Sequence, residues 1–307
     1  MKFDLSIIIP ARNEMFLART VEDILSNIEG KTEIILGFDG TWIDPPIKDD
    51  PRITIIHHSE SIGQRAITNE CASLSKAKYL VKTDAHCAFD KGFDVKLMAD
   101  MQDNWTVVPV MRNLHAFDWV CPDGHRRYQS PSGVCMVCGK ETKRDIVWIA
   151  KTNPTSDSYC FDAEPHFQYF RQWRKSPIYQ EQLKTGLTDT MSLQGSFFMC
   201  TRDKYWELKL CDEEFGSWGS QGIEVACKTW LSGGRVICNH NTWYAHLFRT
   251  QGGDFSFPYQ QKQSKVDEAK KHAKELFFNS KLVPLVERFW PIPGWEQSDL
   301  DKLNGSN

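Results

Sequence analysis

Short apolar runs alternate with amphipathic stretches along the first third of the chain. Leu5 to Ile9 is a β-branched run closed by Pro10, and Leu17, Thr20, Val21, Ile24, Leu25 and Ile28 then recur at helical spacing. Ile34 to Phe38, Ile53 to Ile56, Tyr79 to Thr83 and Val107 to Val110 read as further strands, and Ile67, Cys71 and Leu74 mark a helix before the fourth. Strands that alternate with helices predict an α/β fold, with a mostly parallel central sheet flanked by helices on both faces. Later, Ser196 to Cys200 and Val236 to Cys238 flank a helix carrying Ile223, Ala226, Cys227, Trp230 and Leu231, which Gly233-Gly234 stops.

Between Asn113 and Asp145 the pattern breaks, as Cys, Gly, Pro and charged residues replace strand signals. The expected organisation is one α/β domain in two halves, 1–112 and 151–250, separated by a cysteine-rich insertion at 113–150. Residues 251–307 add a Gly/aromatic loop, an amphipathic helix around Val266 to Phe277 and a Pro/Trp tail. No fixed-period repeat occurs.

Composition changes this picture little. The 307 residues are 41% hydrophobic and 25% charged, as in ordinary globular proteins, and 37 Lys+Arg against 40 Asp+Glu give a formal charge of −3. A bulk basic clamp for nucleic acid is excluded, which leaves only a local patch. The amino-terminal apolar run is too short for a secretory signal, and no run approaches the roughly 18 apolar residues of a membrane span. A soluble cytoplasmic protein without a membrane anchor is expected. Most of the ten cysteines sit singly inside apolar runs like small core residues.

In open α/β sheets ligands bind beyond the carboxyl ends of the strands. Asp39 and Asp84 stand at such ends. Asp39, followed by Gly40, fits a turn former as well as a ligand contact. Asp84 is followed by Ala85 and His86, and an acid and an imidazole two apart on an extended segment can converge on one divalent ion. The chain has neither a Walker A motif nor a G-x-G-x-x-G after a strand. Charge neutralisation of a bound nucleotide would therefore fall to a metal.

The segments Ser6-Ile7-Ile8-Ile9-Pro10-Ala11-Arg12-Asn13-Glu14, EIILGFDGT at 33–41 and TDAHC at 83–87 are followed by SLQGSFFMCTRDKYWEL, DEEFGSWGSQGIEVACKTWLSGG and YAHLFR. In this order they resemble the GT-A glycosyltransferases, above all the polypeptide N-acetylgalactosaminyltransferases and then the wider family 2, over roughly residues 3–250 without the insertion. The resemblance implies a nucleotide-sugar donor, a UDP-sugar first, and bound Mn²⁺ or another divalent cation. It implies Asp84, His86 and His246 as metal ligands, Arg249 on the diphosphate, and a loop at Thr250 to Tyr259 over the donor with Gly252 and Gly253 as hinges. Asp39 matches the acid that contacts the nucleoside, and Arg12 replaces a histidine of the uridine pocket. Arg65 lies one position off a family arginine.

The departures bear on specificity. Trp218-Gly219-Ser220-Gln221-Gly222 stands where the family has Trp-Gly-Gly-Glu-Asn. Trp218 matches a residue near the sugar. Gln221 replaces a glutamate that would accept from sugar hydroxyls, so the sugar need not be N-acetylgalactosamine. An inverting enzyme needs a carboxylate base near the acceptor. Glu224 is the candidate, with Asp212, Glu213 and Glu214 just upstream, and retention is the preferred outcome. The chain is expected to be a catalytic core without the family's membrane anchor and lectin domain. The acceptor is a hydroxyl on protein, glycan or a hydroxymethylated DNA base. A non-catalytic nucleotide-sugar or nucleic-acid binding module of the same fold is the alternative, and a nucleotidyltransferase would lack the late Trp-Gly and His-x-Phe-Arg elements.

Cys121-Pro-Asp-Gly-His125 and Cys135-Met-Val-Cys138-Gly139 give the spacing C-x₃-H-x₉-C-x₂-C. Four N/S ligands suit a structural Zn²⁺, with His115 as a substitute for His125. The segment holds too few apolar residues to fold by burial alone, so the metal would supply folding free energy. Arg126, Arg127, Lys140, Lys143 and Arg144, with Tyr128 and Trp148, form either a grip on nucleic acid or a solvated charged surface.

Overall fold

The computed structural model describes residues 2–217, 219–249, 255, 257–259 and 263–305. Its strands are β1 Leu5–Ala11, β2 Thr32–Asp39, β3 Ile53–His58, β4 Tyr79–Thr83, β5 Cys87–Phe89, β6 Trp105–Val120, β7 Arg126–Tyr128, β8 Lys143–Ser156, β9 Tyr159–Phe161, β10 Phe167–Tyr169, β11 Leu187–Asp189, β12 Phe197–Thr201 and β13 Arg235–His246. Its α-helices are α1 Leu17–Asn27, α2 Gln64–Leu74, α3 Phe93–Ala99, α4 Pro177–Leu183, α5 Arg202–Glu207, α6 Gln221–Leu231, α7 Gln263–Phe277, α8 Val283–Phe289 and α9 Gln297–Leu303. Among the described residues no helix is long and apolar enough to cross a membrane.

The main sheet runs β11-β13-β6-β12-β4-β1-β2-β3, with β5, β7 and β8 attached off that path. All seven residues of β1 are buried, as its unbroken apolar run requires of a strand covered on both faces. Helix α1 lays Leu17, Val21 and Ile24 against it. Strands β3, β2, β1 and β4 are parallel. The expected α/β fold is present, and beyond β4 its sheet departs from a purely parallel one: β12 is antiparallel to both β4 and β6, and β13 is parallel to β6 but antiparallel to β5 and β11. The sheet is mixed. A strand buried on both faces gives the same apolar run in either direction, so the reversal left no mark in the sequence pattern.

The segment expected as an insertion, 113–150, carries strands of the same sheet. Strand β6 continues to Val120 and pairs antiparallel with β7 and β8 in a long ribbon. Its base is apolar: Leu114, Phe117, Trp119 and Trp148 pack with Phe16, Leu247 and Phe255. Only the far end, around the cysteines, lacks an apolar filling. The carboxyl-terminal region packs onto the domain as well. Phe277, Val286, Phe289 and Trp295 join Phe161, Trp173, Phe215 and Ile223 in a second core.

A fully buried ion pair ties α2 to α6. Arg65 Nη2 lies 2.9 Å from Glu224 Oε2, and the same guanidinium donates to the carbonyls of Gly216 at 3.0 Å and Gly219 at 2.7 Å. Glu224 Oε1 accepts from the Asp212 N–H and from Lys228 Nζ, each at 2.9 Å. The desolvation of both charges is offset only while this set is complete. Arg65→Met is expected to lower unfolding free energy by about 3–5 kcal/mol in urea titrations, because it leaves a buried carboxylate short of its main partner. Adding Glu224→Leu to that variant should recover part of the loss, since the two sites are coupled.

Candidate functional site

A cleft opens at the carboxyl ends of β1, β2 and β4. Asp84 and His86 stand on the turn between β4 and β5, and the Asp84 N–H is fixed by the Ser196 carbonyl at 2.9 Å. His246 is the last residue of β13, which pairs with β5 in the register His246 opposite Cys87. That register brings the two imidazoles within 4.9 Å, centroid to centroid. His246 Nε2 lies 3.2 Å, and His86 Nε2 3.9 Å, from Asp84 Oδ2. One donor atom from each of the three residues falls within 4.8 Å of the others.

The protonation states suit a cation. Burial works against the Asp84 carboxylate, but Lys82 Nζ at 2.6 Å, the His246 hydrogen bond and the two imidazoles outweigh it and hold the carboxyl well below its ordinary range. Burial pushes the His246 imidazole down to about 4, despite the opposing pull of Asp84. The ring is therefore neutral at physiological pH, as a ligand must be. Its Nδ1 is buried and has no hydrogen-bond partner among the described residues. His86 Nδ1 is 3.2 Å from Glu14 Oε2, which leaves Nε2 for the centre in the usual carboxylate–imidazole–metal arrangement. Two imidazoles and one carboxylate fit Mn²⁺ or a similar first-row divalent ion better than Mg²⁺.

Around this centre the chain places charge in pairs. Glu14 is also ion-paired with Arg249, which lies 4.1 Å over the Phe255 ring. Arg12 donates from Nη1 to the Asp39 carbonyl at 2.8 Å and from Nε to the Pro258 carbonyl at 3.0 Å. Gly40, at φ +78°, follows Asp39 because a Cβ there would run into the Arg12 guanidinium. Arg12, Glu14, Asp84, His86, His246 and Arg249 line a cavity of about 160 Å³. A neighbouring cavity of about 400 Å³ shares Asp84, Gln64 and Gln194 with it and is lined further by Lys82, Gly195 and Gln221.

Several residues singled out in the sequence stand elsewhere. Glu224, the candidate base of an inverting route, lines neither cavity; it is buried, and both its oxygens are engaged. Asp39 is buried as well, with its carboxylate accepting from Ser61 Oγ, the Ile62 N–H and the Gly63 N–H at 2.6–3.1 Å. It shapes the pocket wall and does not line the cavity. Gln221 does line the larger cavity, with its Nε2 held 3.1 Å from Cys211 Sγ. Trp218, Thr250, Gly252 and Gly253 lie outside the described residues.

In the ribbon Cys121, His125, Cys135 and Cys138 do come together. His115 does not join them and pairs with Asp118 at 2.7 Å. Most of the basic residues there are already partnered. Arg126 pairs with Asp118 and Asp145, Lys140 with Asp123, and Arg144 lies 5.0–5.1 Å over Phe117 and Trp119. Two cleft residues had been passed over. Lys82, 1% exposed, bonds Asp84 and the Gly195 carbonyl; a lone lysine inside the apolar run of β4 was the available signal. Glu14 sat unremarked at the end of the first motif.

The sequence profile of glycosyl transferase family 2 matches residues 6–209. The chain belongs to glycosyl transferase family 2. Within that family it is 24% identical over 278 residues to the putative polypeptide N-acetylgalactosaminyltransferase 13 of Drosophila melanogaster, covering 85% of this chain and 44% of that protein. It is 25% identical over 268 residues to human polypeptide N-acetylgalactosaminyltransferase 3, covering 82% and 38%. The chain thus spans less than half the length of these curated relatives. A crystal structure of GalNAc-T7 with UDP, GalNAc and Mn²⁺ matches with a TM-score of 0.62 at 16% identity, over 99% of this chain and 55% of that one. The likeness shows that this family 2 chain has the GT-A fold.

The low basicity of His246 predicts a pH dependence. Above pH 6.5 the ring is neutral in folded and unfolded chains alike, and its contribution to stability is complete. As pH falls from 6.5 toward 4 the unfolded chain binds the proton first, and the metal-free protein should lose stability, by roughly 3 kcal/mol at most. Denaturant titrations at several pH values should show this slope in wild type and a flatter one in His246→Gln.

Proposed function

We propose that the chain is a metal-dependent glycosyltransferase that moves a sugar from a nucleotide sugar, a UDP-sugar first, to an acceptor hydroxyl. The observation that carries this reading is the convergence of Asp84, His86 and His246 beside the Glu14–Arg249 pair at the carboxyl ends of the strands. The named neighbours support it, since one was crystallised with UDP, GalNAc and Mn²⁺. A divalent ion held by the three ligands supplies Lewis-acid stabilisation of the leaving diphosphate.

The chain's own groups complete the site. Arg249 presents a guanidinium beside the metal ligands, and Glu14 orients both that guanidinium and His86. Lys82 holds one Asp84 oxygen and leaves the other toward the imidazoles. Gln194 and Gln221 offer neutral amides to sugar hydroxyls in the larger cavity. Among the described residues lining that cavity Asp84 is the only carboxylate, and it is committed to the centre. The absence of a second acid there favours retention of anomeric configuration over an inverting route through a protein base. The acceptor is assigned as a hydroxyl. A modified DNA base draws less support than a protein or glycan, because Arg126 and Lys140 are neutralised within the ribbon.

The test is thermal shift of the full chain with Mn²⁺ and a panel of nucleotides and nucleotide sugars. UDP or a UDP-sugar should raise the melting temperature only with Mn²⁺ present, by an amount equivalent to about 2.7 kcal/mol at a hundredfold excess over Kd. Asp84→Ala and His246→Ala should abolish the rise. Slow Mn²⁺-dependent hydrolysis of the bound donor separates a transferase from a binding module, and no rise with any nucleotide would reduce the likeness to one of fold.

A further inference from the structure

We propose that Cys121, His125, Cys135 and Cys138 hold a structural Zn²⁺, a second metal centre independent of the cleft and of the donor reading. Two separate turns supply the ligands. In the first, the Gly124 N–H donates to the Cys121 carbonyl at 2.9 Å, and the Cys121 N–H donates to the His125 carbonyl at 3.2 Å. In the second, the Gly139 N–H donates to the Cys135 carbonyl and the Cys135 N–H to the Lys140 carbonyl, each at 2.8 Å. Gly139 closes that turn at φ +72°, a conformation open to glycine. The Val137 N–H points at Cys135 Sγ, 3.4 Å away, and so stabilises a thiolate there.

The distances decide the geometry. Zn–S bonds of about 2.3 Å and Zn–N bonds of about 2.0 Å, set tetrahedrally, give S–S edges of about 3.8 Å and S–N edges of about 3.5 Å. The cluster has Cys138 Sγ 3.7 Å from Cys121 Sγ, and His125 Nδ1 3.4 Å from Cys121 Sγ and 3.7 Å from Cys135 Sγ. All three edges agree with that tetrahedron to within about 0.2 Å. A disulfide needs sulfurs about 2 Å apart and is excluded here. A closed set of four N/S ligands with no open position is that of a structural zinc, not a catalytic one.

Burial cannot replace the metal at this end of the ribbon. Val134, Met136 and Val137 between and beside the ligands are 59%, 88% and 72% exposed. Beyond the ligands the two turns are joined by the Lys140–Asp123 ion pair at 2.5 Å, an exposed contact of little worth. The ion would therefore set the conformation of the tip.

The test begins with metal analysis of the full chain, purified under reducing conditions with zinc supplied and then passed through gel filtration. About one zinc per chain is expected. Asp84→Ala and His246→Ala should keep it, whereas Cys135→Ser and Cys138→Ser should lose it at least tenfold. Should those serine variants fail to fold, wild type still decides the matter. A mercurial thiol reagent should release the zinc to a chromogenic chelator, and Co²⁺ exchange should give the intense visible bands of a tetrahedral thiolate site. Wild type without stoichiometric zinc, zinc unchanged in Cys135→Ser, or equimolar iron in its place would each overturn the assignment.

Discussion

The antiparallel pairing of β13 with the three-residue strand β5 is the constraint on which the cleft depends. It sets His246 opposite Cys87, and the Leu247 N–H closes the ladder on the His86 carbonyl at 3.1 Å. A chain separation of 160 residues is thereby reduced to one shared centre. Because side chains alternate across a strand, a slip of a single residue would turn His246 to the opposite face. The mixed sheet matters for this reason. β13 must lie parallel to β6 to leave its carboxyl end at the cleft, and it then meets β5 head to tail.

Charge in the cleft is balanced before any ligand arrives. Asp84 and Glu14 are matched by Lys82 and Arg249, and all four lie in surroundings where an unmatched charge would be costly. The charges of a diphosphate and of a divalent cation also largely cancel, so binding them together disturbs the balance less than binding either alone. Such a site favours the pair over its parts. Under the proposed reading this would be a physical reason for a nucleotide to need its metal.

The convergence of Asp84, His86 and His246 was legible because order and spacing carry it: Asp84-x-His86 ends one strand and His246 ends another. The C-x₃-H-x₉-C-x₂-C spacing carried the ribbon's cluster in the same way, down to His125 in preference to His115. The environment of a side chain is less legible than its spacing. Glu224 reads in sequence as an acid one helical turn from Gln221, and nothing in the chain announces that Arg65 reaches it across α2 and α6. Arg65, one position off a family arginine in sequence, is one of the largest fully buried side chains. Burial is a property of tertiary packing, and local pattern has no access to it. The ribbon hides its strands for a related reason. Turn residues and ligands at its tip obscured a strand pattern that continues to Val120.

The ribbon and the cleft are not separate stories in packing terms. Phe117 stacks on Phe16 at 5.8 Å, Phe16 meets Phe255 at 5.4 Å, and Phe255 sets its edge against the His86 ring at 5.0 Å. Arg249 lies over the outer face of the same Phe255. A continuous aromatic wall thus runs from the base of the ribbon to His86 and to the Arg249 guanidinium. Close-packed interiors transmit displacement, so the rigidity of β6 and β8 bears on how firmly His86 and Arg249 are held. The base of the long ribbon thus belongs to the packing of the cleft, and only its outer end, where Val134, Met136 and Val137 are exposed, stands apart from it.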